Sequence, residues 1–296
     1  MCTEIQKHAI CIQCHNKPEI INTLIDSLPA SHFDFFIHVD KKSPIIDSII
    51  KRDNVFFSKR LDVTWGQSSQ YKATLEMLNI LDHKKYSYVH LISGNDFVIC
   101  PPHKFIDFFN GNKNQYIQCC PLDEKNTWTW HGQDRYLVWY PKFLVKRPSY
   151  KLHRIARILY REFIMRTKIF RRKKLPVKEF FGGSQWFSVT GELVGWMKEY
   201  LNDHKEYSDF FDHGVCSDEV FFSTLAKLSP YKNEIANNCL RYMIWPPAST
   251  TGGPKELSID DIKKTKPGKY IFARKITDMN VVDFLKTSLF EFSENN

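Results

Sequence analysis

The residue types able to do chemistry gather in the second half of the chain. GGSQWFSVTGELVGWM begins at Gly182, and CSDEVFFSTL follows at Cys216 with two adjacent carboxylates, Asp218 and Glu219, ahead of an apolar run. Carboxylates in a first helical turn are stabilised by the helix dipole, so the pair reads as a cap. Glu219 also reads as a general base if the fold sets it in a cleft beside Trp186. Upstream, Trp128, Trp130, Tyr136, Trp139 and Tyr140 are interleaved with His131, Asp134 and Arg135. Aromatic faces with hydrogen-bonding neighbours suit a sugar ring, and they equally suit a small hydrophobic core. Three cations near the C-terminus, Lys255, Arg274 and Lys275, could hold an anionic leaving group.

These residues need a scaffold, and the hydrophobic patterning supplies one. HAICIQ (His8 to Gln13) reads as a strand, followed by a helix opened by Pro18 with Ile20, Ile21, Leu24, Ile25 and Leu28 on one face. FDFFIHVD is a second strand, ending at Asp40. Strand, helix, strand opens an α/β domain with a parallel sheet, whose ligands bind at the carboxyl ends of strands, here marked by His15 and Asp40. Asp40 reads either as a nucleoside contact or as an ordinary polar turn. A helix near Pro44 to Lys51, a short strand at Asn54 to Phe57 and a helix capped by Ser68 or Ser69 follow. A buried strand (Tyr88 to Ile92) leaves through the turn Ser93, Gly94, Asn95 and Asp96, then a proline pair starts a helix and YIQCC reads as a strand. Later come a strand at Gln185 to Val189, a helix from about Glu192 to Leu201 capped by Thr190, and a strand around Tyr242 to Trp245.

At 296 residues and 43% hydrophobic, the chain can bury a sizeable core. It lacks the run of about 18 apolar residues that a membrane span needs and has no signal-peptide pattern, which places it in the cytoplasm. The eight cysteines sit mostly in apolar contexts and read as buried thiols of a reducing compartment; the Cys11, Cys14 pair has no second pair at zinc-ribbon spacing. Of the net charge of +9, the stretch from Lys142 to Lys178 carries fourteen basic residues against Glu162, +13, leaving −4 elsewhere. Residues 151–174 have the pattern of a basic amphipathic helix, with Leu152, Ile155, Ile158, Leu159 and Phe163 on one face and Arg154, Arg157, Arg161, Lys168 and Arg172 largely on another. Such a helix either rests on an anionic membrane surface or packs on its own domain. Nucleic acid fits less well, because the aromatic run Trp128 to Tyr140 sits outside this arm and would have to interleave with it to stack on bases.

No G-x-G-x-x-G or Walker loop is present, and no two aspartates stand two apart as in the Asp-x-Asp metal motif common among nucleotide-sugar transferases. A leaving diphosphate would then depend on cationic side chains. HVDKK, VTWGQ, LISGNDFVI, GGSQWFSVTGELVGWM, SDEVFFSTL, RYMIW and FARK, in this order, resemble the core-2/I-branching β-1,6-N-acetylglucosaminyltransferase and peptide O-xylosyltransferase family, glycosyltransferase family 14, from about Ala9 to Asp283. The resemblance implies an α/β, GT-A-type (Rossmann-like) fold with a mainly parallel central sheet flanked by helices, in one catalytic domain over 1–296. About 1–125 would bind nucleotide, about 126–180 would be an acceptor-side insertion, and about 181–296 would hold the catalytic and diphosphate-binding half. It implies a UDP-sugar donor, inversion and no metal cofactor, with N-acetylglucosamine or xylose as the sugar and a glycan or lipid-linked glycan as acceptor. Glu219 matches the catalytic base, Lys275 a lysine on the diphosphate and Lys255, more loosely, its second cation, while Arg274 stays a diphosphate candidate by its charge and place. His15 and Asp40 match the uridine site. Trp186 and the Asn95–Asp96 turn would border the sugars. The basic arm and Trp128 to Tyr140 occupy the region where members diverge and the acceptor is chosen, so the resemblance transfers nothing there; Trp128, Trp130, Arg135 and Asp218 are sugar-contact candidates by residue type and place alone. Val98 and Ile276 depart from the family pattern, and the anchor and disulfides of secretory members are absent, as in a soluble bacterial-type member. A carbohydrate-binding protein without catalysis, or a two-carboxylate glycosidase, are the competing readings.

Overall fold

The computed structural model describes residues 7–145, 151–246, 253–266 and 268–291. The first six residues, and the 247–252 part of the loop after the RYMIW strand, lie outside the described residues, as does the start of the basic segment at 146–150.

The amino half alternates as its patterning predicts: β1 (Lys7–Cys14), α1 (Pro18–Ser27), β2 (Phe33–Val39), β3 (Val55–Phe57), α2 (Ser69–Ile80) and β4 (Tyr86–Ser93). Short β5 (Asp96–Val98), α3 (Pro102–Phe109) and β6 (Cys120–Pro121) follow, then α4 (Asp134–Leu137), α5 (Lys142–Val145) and α6 (Lys151–Thr167). The last part comprises β7 (Phe181–Gly182), β8 (Phe187–Thr190), α7 (Gly191–Asp203), α8 (Lys205–Phe211), α9 (Asp218–Leu228), β9 (Arg241–Met243), α10 (Ile259–Lys263), β10 (Phe272–Arg274) and α11 (Met279–Glu291).

The main sheet runs β3-β2-β1-β4-β8, with β1, β2, β3 and β4 parallel and β8 antiparallel to β4. Alternation along β1 divides two cores. Ile10, Ile12 and Cys14 point to the layer of α1, α3 and α11, whereas Ala9 and Cys11 point to that of α2, α7 and α9. A sheet covered on both faces needs strands that are apolar on both, and β1 and β2 are. A second sheet, β5-β10-β9, joins the LISGND turn to the C-terminal strands. Val98 pairs with Phe272 in it, and Val98 and Ile276 are both fully buried, so the two departures from the family pattern are packing positions.

Some local expectations yield to tertiary context. YIQCC forms strand only at Cys120, Pro44 to Lys51 is a single 3-10 turn (Ile45–Ser48), and Thr190 does cap α7 through Leu193 N–H. The seven described cysteines are free thiols; burial pushes those of Cys14, Cys100 and Cys119 up to about 12, which keeps them protonated. A polar seam crosses the core: His8 Nδ1 meets His90 Nε2 at 3.2 Å, His90 Nδ1 meets Ser188 Oγ at 2.8 Å, and Arg241 donates to Ser188 Oγ at 2.9 Å. Arg241 also donates to the carbonyls of Leu91 and Phe187, so this buried cation clamps β4, β8 and β9 together.

Candidate active site

The motifs separated in sequence meet at the carboxyl end of the main sheet. Asp40 N–H bonds to Cys14 C=O at 2.9 Å, and Ser43 Oγ donates to His15 C=O at 2.7 Å, so the ends of β1 and β2 form one rim. Asp40 Oδ1 accepts from Lys42 N–H at 2.9 Å, which makes it the organiser of its own turn. Arg60, which sequence patterning did not single out, secures this rim by donating to the carbonyls of Val39, Asp40 and Lys41. His15 is exposed beside it.

The glycine-led turn 183–186 ties the site together. Gly183 N–H donates to Glu219 C=O at 2.9 Å, Ser184 N–H to Gln118 Oε1 at 3.0 Å, and Gln70 Nε2 to Gln185 Oε1 at 3.3 Å. Gln70 C=O in turn accepts from Gln13 Nε2, and Cys216 N–H bonds to Gly66 C=O at 2.8 Å. Gln13, Gln70 and Gln118 carry no charge or motif signal in isolation. Only their hydrogen bonds to segments distant in sequence reveal them. At Gly183 a Cβ would lie 2.3 Å from the backbone oxygen of Gln118, so glycine is required there for close approach.

On one side of this turn, Trp186 lies under Arg274, whose guanidinium carbon is 4.5 Å from the ring centre. Arg274 Nη1 meets Asp96 Oδ1 at 2.6 Å, and the Asp96 side chain is wholly buried, its other oxygen accepting from Ser93 N–H. The sequence groups Arg274 with the diphosphate cations, and Asp96 and Trp186 with the sugar contacts. In the structure the three satisfy one another, because a buried carboxylate needs a fixed cation. Asn95 is buried at the same turn, its C=O accepts from Ile276 N–H at 2.8 Å, and its Oδ1 has no partner among the described residues.

The two lysines are side by side: Lys275 N–H bonds to Lys255 C=O at 3.3 Å and Leu257 N–H to Lys275 C=O at 2.8 Å. Lys275 Nζ is 3.1 Å from Glu256 Oε1, an open pair with Glu256 62% exposed. Lys255 Nζ is 2.8 Å from Asp261 Oδ2; that bond, with the Ser258 N–H of a capping box, holds the Asp261 carboxyl down to about 2. Glu256 is held below its usual range by Thr277 and Lys275, with Lys17 at the start of α1 adding to the pull. Ile276 N–H bonds to Asn95 C=O and Gly94 N–H to Gln13 C=O, which sets the lysine pair near the end of β1.

On the other side of the turn, Glu219 heads α9 and forms an ion pair with Arg135, whose guanidinium is 4.2 Å from the centre of the Trp128 ring. Asp218 is enclosed: burial pushes its carboxyl up to about 6 against the pull of Arg135, and Oδ1 has no partner among the described residues. Sequence sets Asp218 against a sugar, but helix geometry turns it into the core next to Glu219. Trp128 and Trp130 differ likewise from an open sugar platform. Trp128 is covered by Arg135, and Trp130 donates Nε1–H to Glu162 Oε1 at 2.9 Å, pinning α6. The open aromatic wall is elsewhere. A cavity of about 390 Å3 behind the 183–186 turn is lined by Gln118, Arg241, Trp245, Lys269 and Tyr270, with Trp245 well exposed. RYMIW carried that signal at its last residue. A wider concavity at Lys7, Asp34 and Arg52 lies at the opposite, amino end of the strands.

The family profile described as "Branch: Core-2/I-Branching enzyme" matches residues 15–266, which include six of the seven motifs above and stop short of FARK at 272–275. The chain belongs to the Core-2/I-branching enzyme family. As a member of it the protein is a glycosyltransferase, and its mainly parallel, helix-flanked sheet is the GT-A-type fold. Two solved structures are similar at low identity. Mouse xyloside xylosyltransferase 1 in its apo form matches over 78% of this chain and 84% of its own, at 12% identity and a TM-score of 0.34. S. aureus TarS 1–349 matches over 77% of this chain and 74% of its own, at 13% identity and a TM-score of 0.29. No curated protein matches this branching-enzyme relative.

Proposed function

We propose that this chain is an inverting, metal-independent transferase that moves a sugar from a UDP-sugar to a hydroxyl of a glycan acceptor, by a single displacement. The observation that carries the reading is the 183–186 turn, which bonds to Glu219 at one end and packs Trp186 beneath Arg274 at the other. That turn spans the distance between a candidate base and a candidate nucleotide site. Glu219 takes the proton of the acceptor hydroxyl as that oxygen bonds to the anomeric carbon. The bond from that carbon to the diphosphate breaks, and UDP leaves with its electron pair. Lys275, with the weaker hold of an exposed partner, exchanges Glu256 for the diphosphate, and Lys255 supports it. Arg274 positions Trp186 and the Asn95–Asp96 turn instead of binding phosphate. His15 and the Asp40 turn form the uridine rim, and Trp245 with Tyr270 offers a sugar its open aromatic face.

N-acetylglucosamine or xylose is the proposed donor sugar, and a surface glycan or its lipid-linked precursor the acceptor. The test is calorimetric UDP binding with and without EDTA, followed by UDP release over a panel of UDP-sugars. Binding that survives EDTA with one sugar turned over supports the reading; absence of UDP binding in both conditions removes it.

A further inference from the structure

Helix α6 faces solvent with the wrong side for a water-soluble helix. Leu152, Ile155, Leu159 and Phe163 recur at three- and four-residue spacing and so share one stripe. That stripe points outward, with Leu152 79% and Leu159 63% exposed. The helix is held to the protein by its other side, through Ile164, Met165 and Tyr160 against Val138, Tyr140 and Leu144. Beyond its end the apolar surface continues in Ile169, 67% exposed, and Phe170, which stacks on Phe163 at 5.9 Å. Sequence patterning puts the basic residues largely on a face other than the apolar one and leaves the orientation of the helix open. In the structure Arg161 turns inward to Asp134 at 3.4 Å, while Arg154, Lys168, Lys173 and Lys174 are exposed and form no ion pair among the described residues.

An outward apolar stripe rimmed by unpaired cations has one complementary occupant. A second copy of the chain would bring two segments of +13 face to face. Nucleic acid matches the rim but not the apolar centre. An anionic lipid surface matches both, taking the stripe at the acyl boundary and the lysines among the headgroups.

We infer that α6 and the segment through Lys174 form a peripheral docking surface for anionic membranes, lying in the interface plane. Among the described residues no helix is long and apolar enough to cross a membrane. Its position gives it a consequence. Arg161 ties α6 to Asp134, whose neighbour Arg135 pairs with Glu219, so docking sets the Glu219 end of the cleft beside the bilayer. The docking does not depend on the role of Glu219, since it is read without substrate.

The experiment is co-sedimentation of the full chain with phosphatidylglycerol–phosphatidylcholine vesicles and with phosphatidylcholine vesicles alone. The expected result is binding to the anionic vesicles that falls with salt. Each cation near such a surface contributes about a fivefold change in partition, so Lys168→Gln, Lys173→Gln and Lys174→Gln together weaken it about a hundredfold. Leu159→Ser with Phe163→Ser abolishes it, with the circular dichroism spectrum and Tm unchanged because both side chains are exposed. Equal partition onto both vesicle types overturns the inference. So does a sedimentation-velocity dimer that Leu159→Ser with Phe163→Ser splits while no vesicle binding is seen, which would make the face a self-interface.

Discussion

Arg135 forms an ion pair with Glu219, the first open carboxylate of α9, while its guanidinium covers the face of Trp128. In the role proposed for Glu219, an acceptor hydroxyl would have to reach it past this guanidinium, and the pair would rearrange during turnover. Replacing Glu219 by Gln removes the proposed proton acceptor and keeps the shape. The expected outcome is a fall in turnover of about a hundredfold to ten-thousandfold with UDP affinity changed little. A variant that keeps full turnover removes Glu219 from the base role.

The cations divide by burial. Lys275→Gln breaks an exposed pair and should leave Tm within a degree or two while weakening UDP binding roughly tenfold. Arg274→Met strands the buried Asp96 carboxylate, at a cost of about 3 to 5 kcal/mol. Its Tm should fall by roughly 6 to 20 °C. Equal effects of the two substitutions on Tm would contradict the division.

Gly183 tests the turn that joins the two sides. Its absent Cβ makes room for the Gln118 carbonyl, so Gly183→Ala must displace the backbone of 183–186 by strain of about 1 to 3 kcal/mol. Thermal melts should show the loss, and turnover should fall further than stability alone explains, because Glu219 and Trp186 are set by the same turn. Wild-type turnover from a folded Gly183→Ala variant would show that the turn does not position either group.

The buried histidine pair sets an acid limit. Burial holds His8 down to about 4, with His32 adding to it, and burial holds His90 well below the usual range, with His8 and Arg241 adding to it. Both are neutral in the native state and protonate near 6.5 when unfolded, so the unfolded chain binds more protons below that pH. Their stability contribution is complete above about pH 6.5 and is lost as pH falls towards about 4, at up to about 3 kcal/mol per pH unit for the two. Urea midpoints between pH 7.5 and 5 measure it. His8→Gln should lower the slope by about half, and an unchanged slope would place the acid sensitivity elsewhere.

The sequence by itself determined the α/β order, because strand and helix periods are local. The runs His8 to Gln13, FDFFIHV and the face of α1 formed where their patterns placed them. The carboxylates at 218 and 219 are a local signal of a helix entrance, whereas the need for glycine at 183 comes from the Gln118 carbonyl, a neighbour only in space. What only the tertiary structure decided is which charges remain available. Arg274 and Lys275 are neighbours in sequence, yet a buried Asp96 claims the first and an exposed Glu256 holds the second loosely. Asp218 and Glu219 are likewise adjacent, but one helix step sends the first into the core and leaves the second on Arg135. Trp130 and Glu162, or Arg161 and Asp134, are about thirty residues apart, and their pairing turned the basic helix so that its apolar stripe faces out. Burial and charge pairing are properties of neighbours in space, and no local pattern carries them.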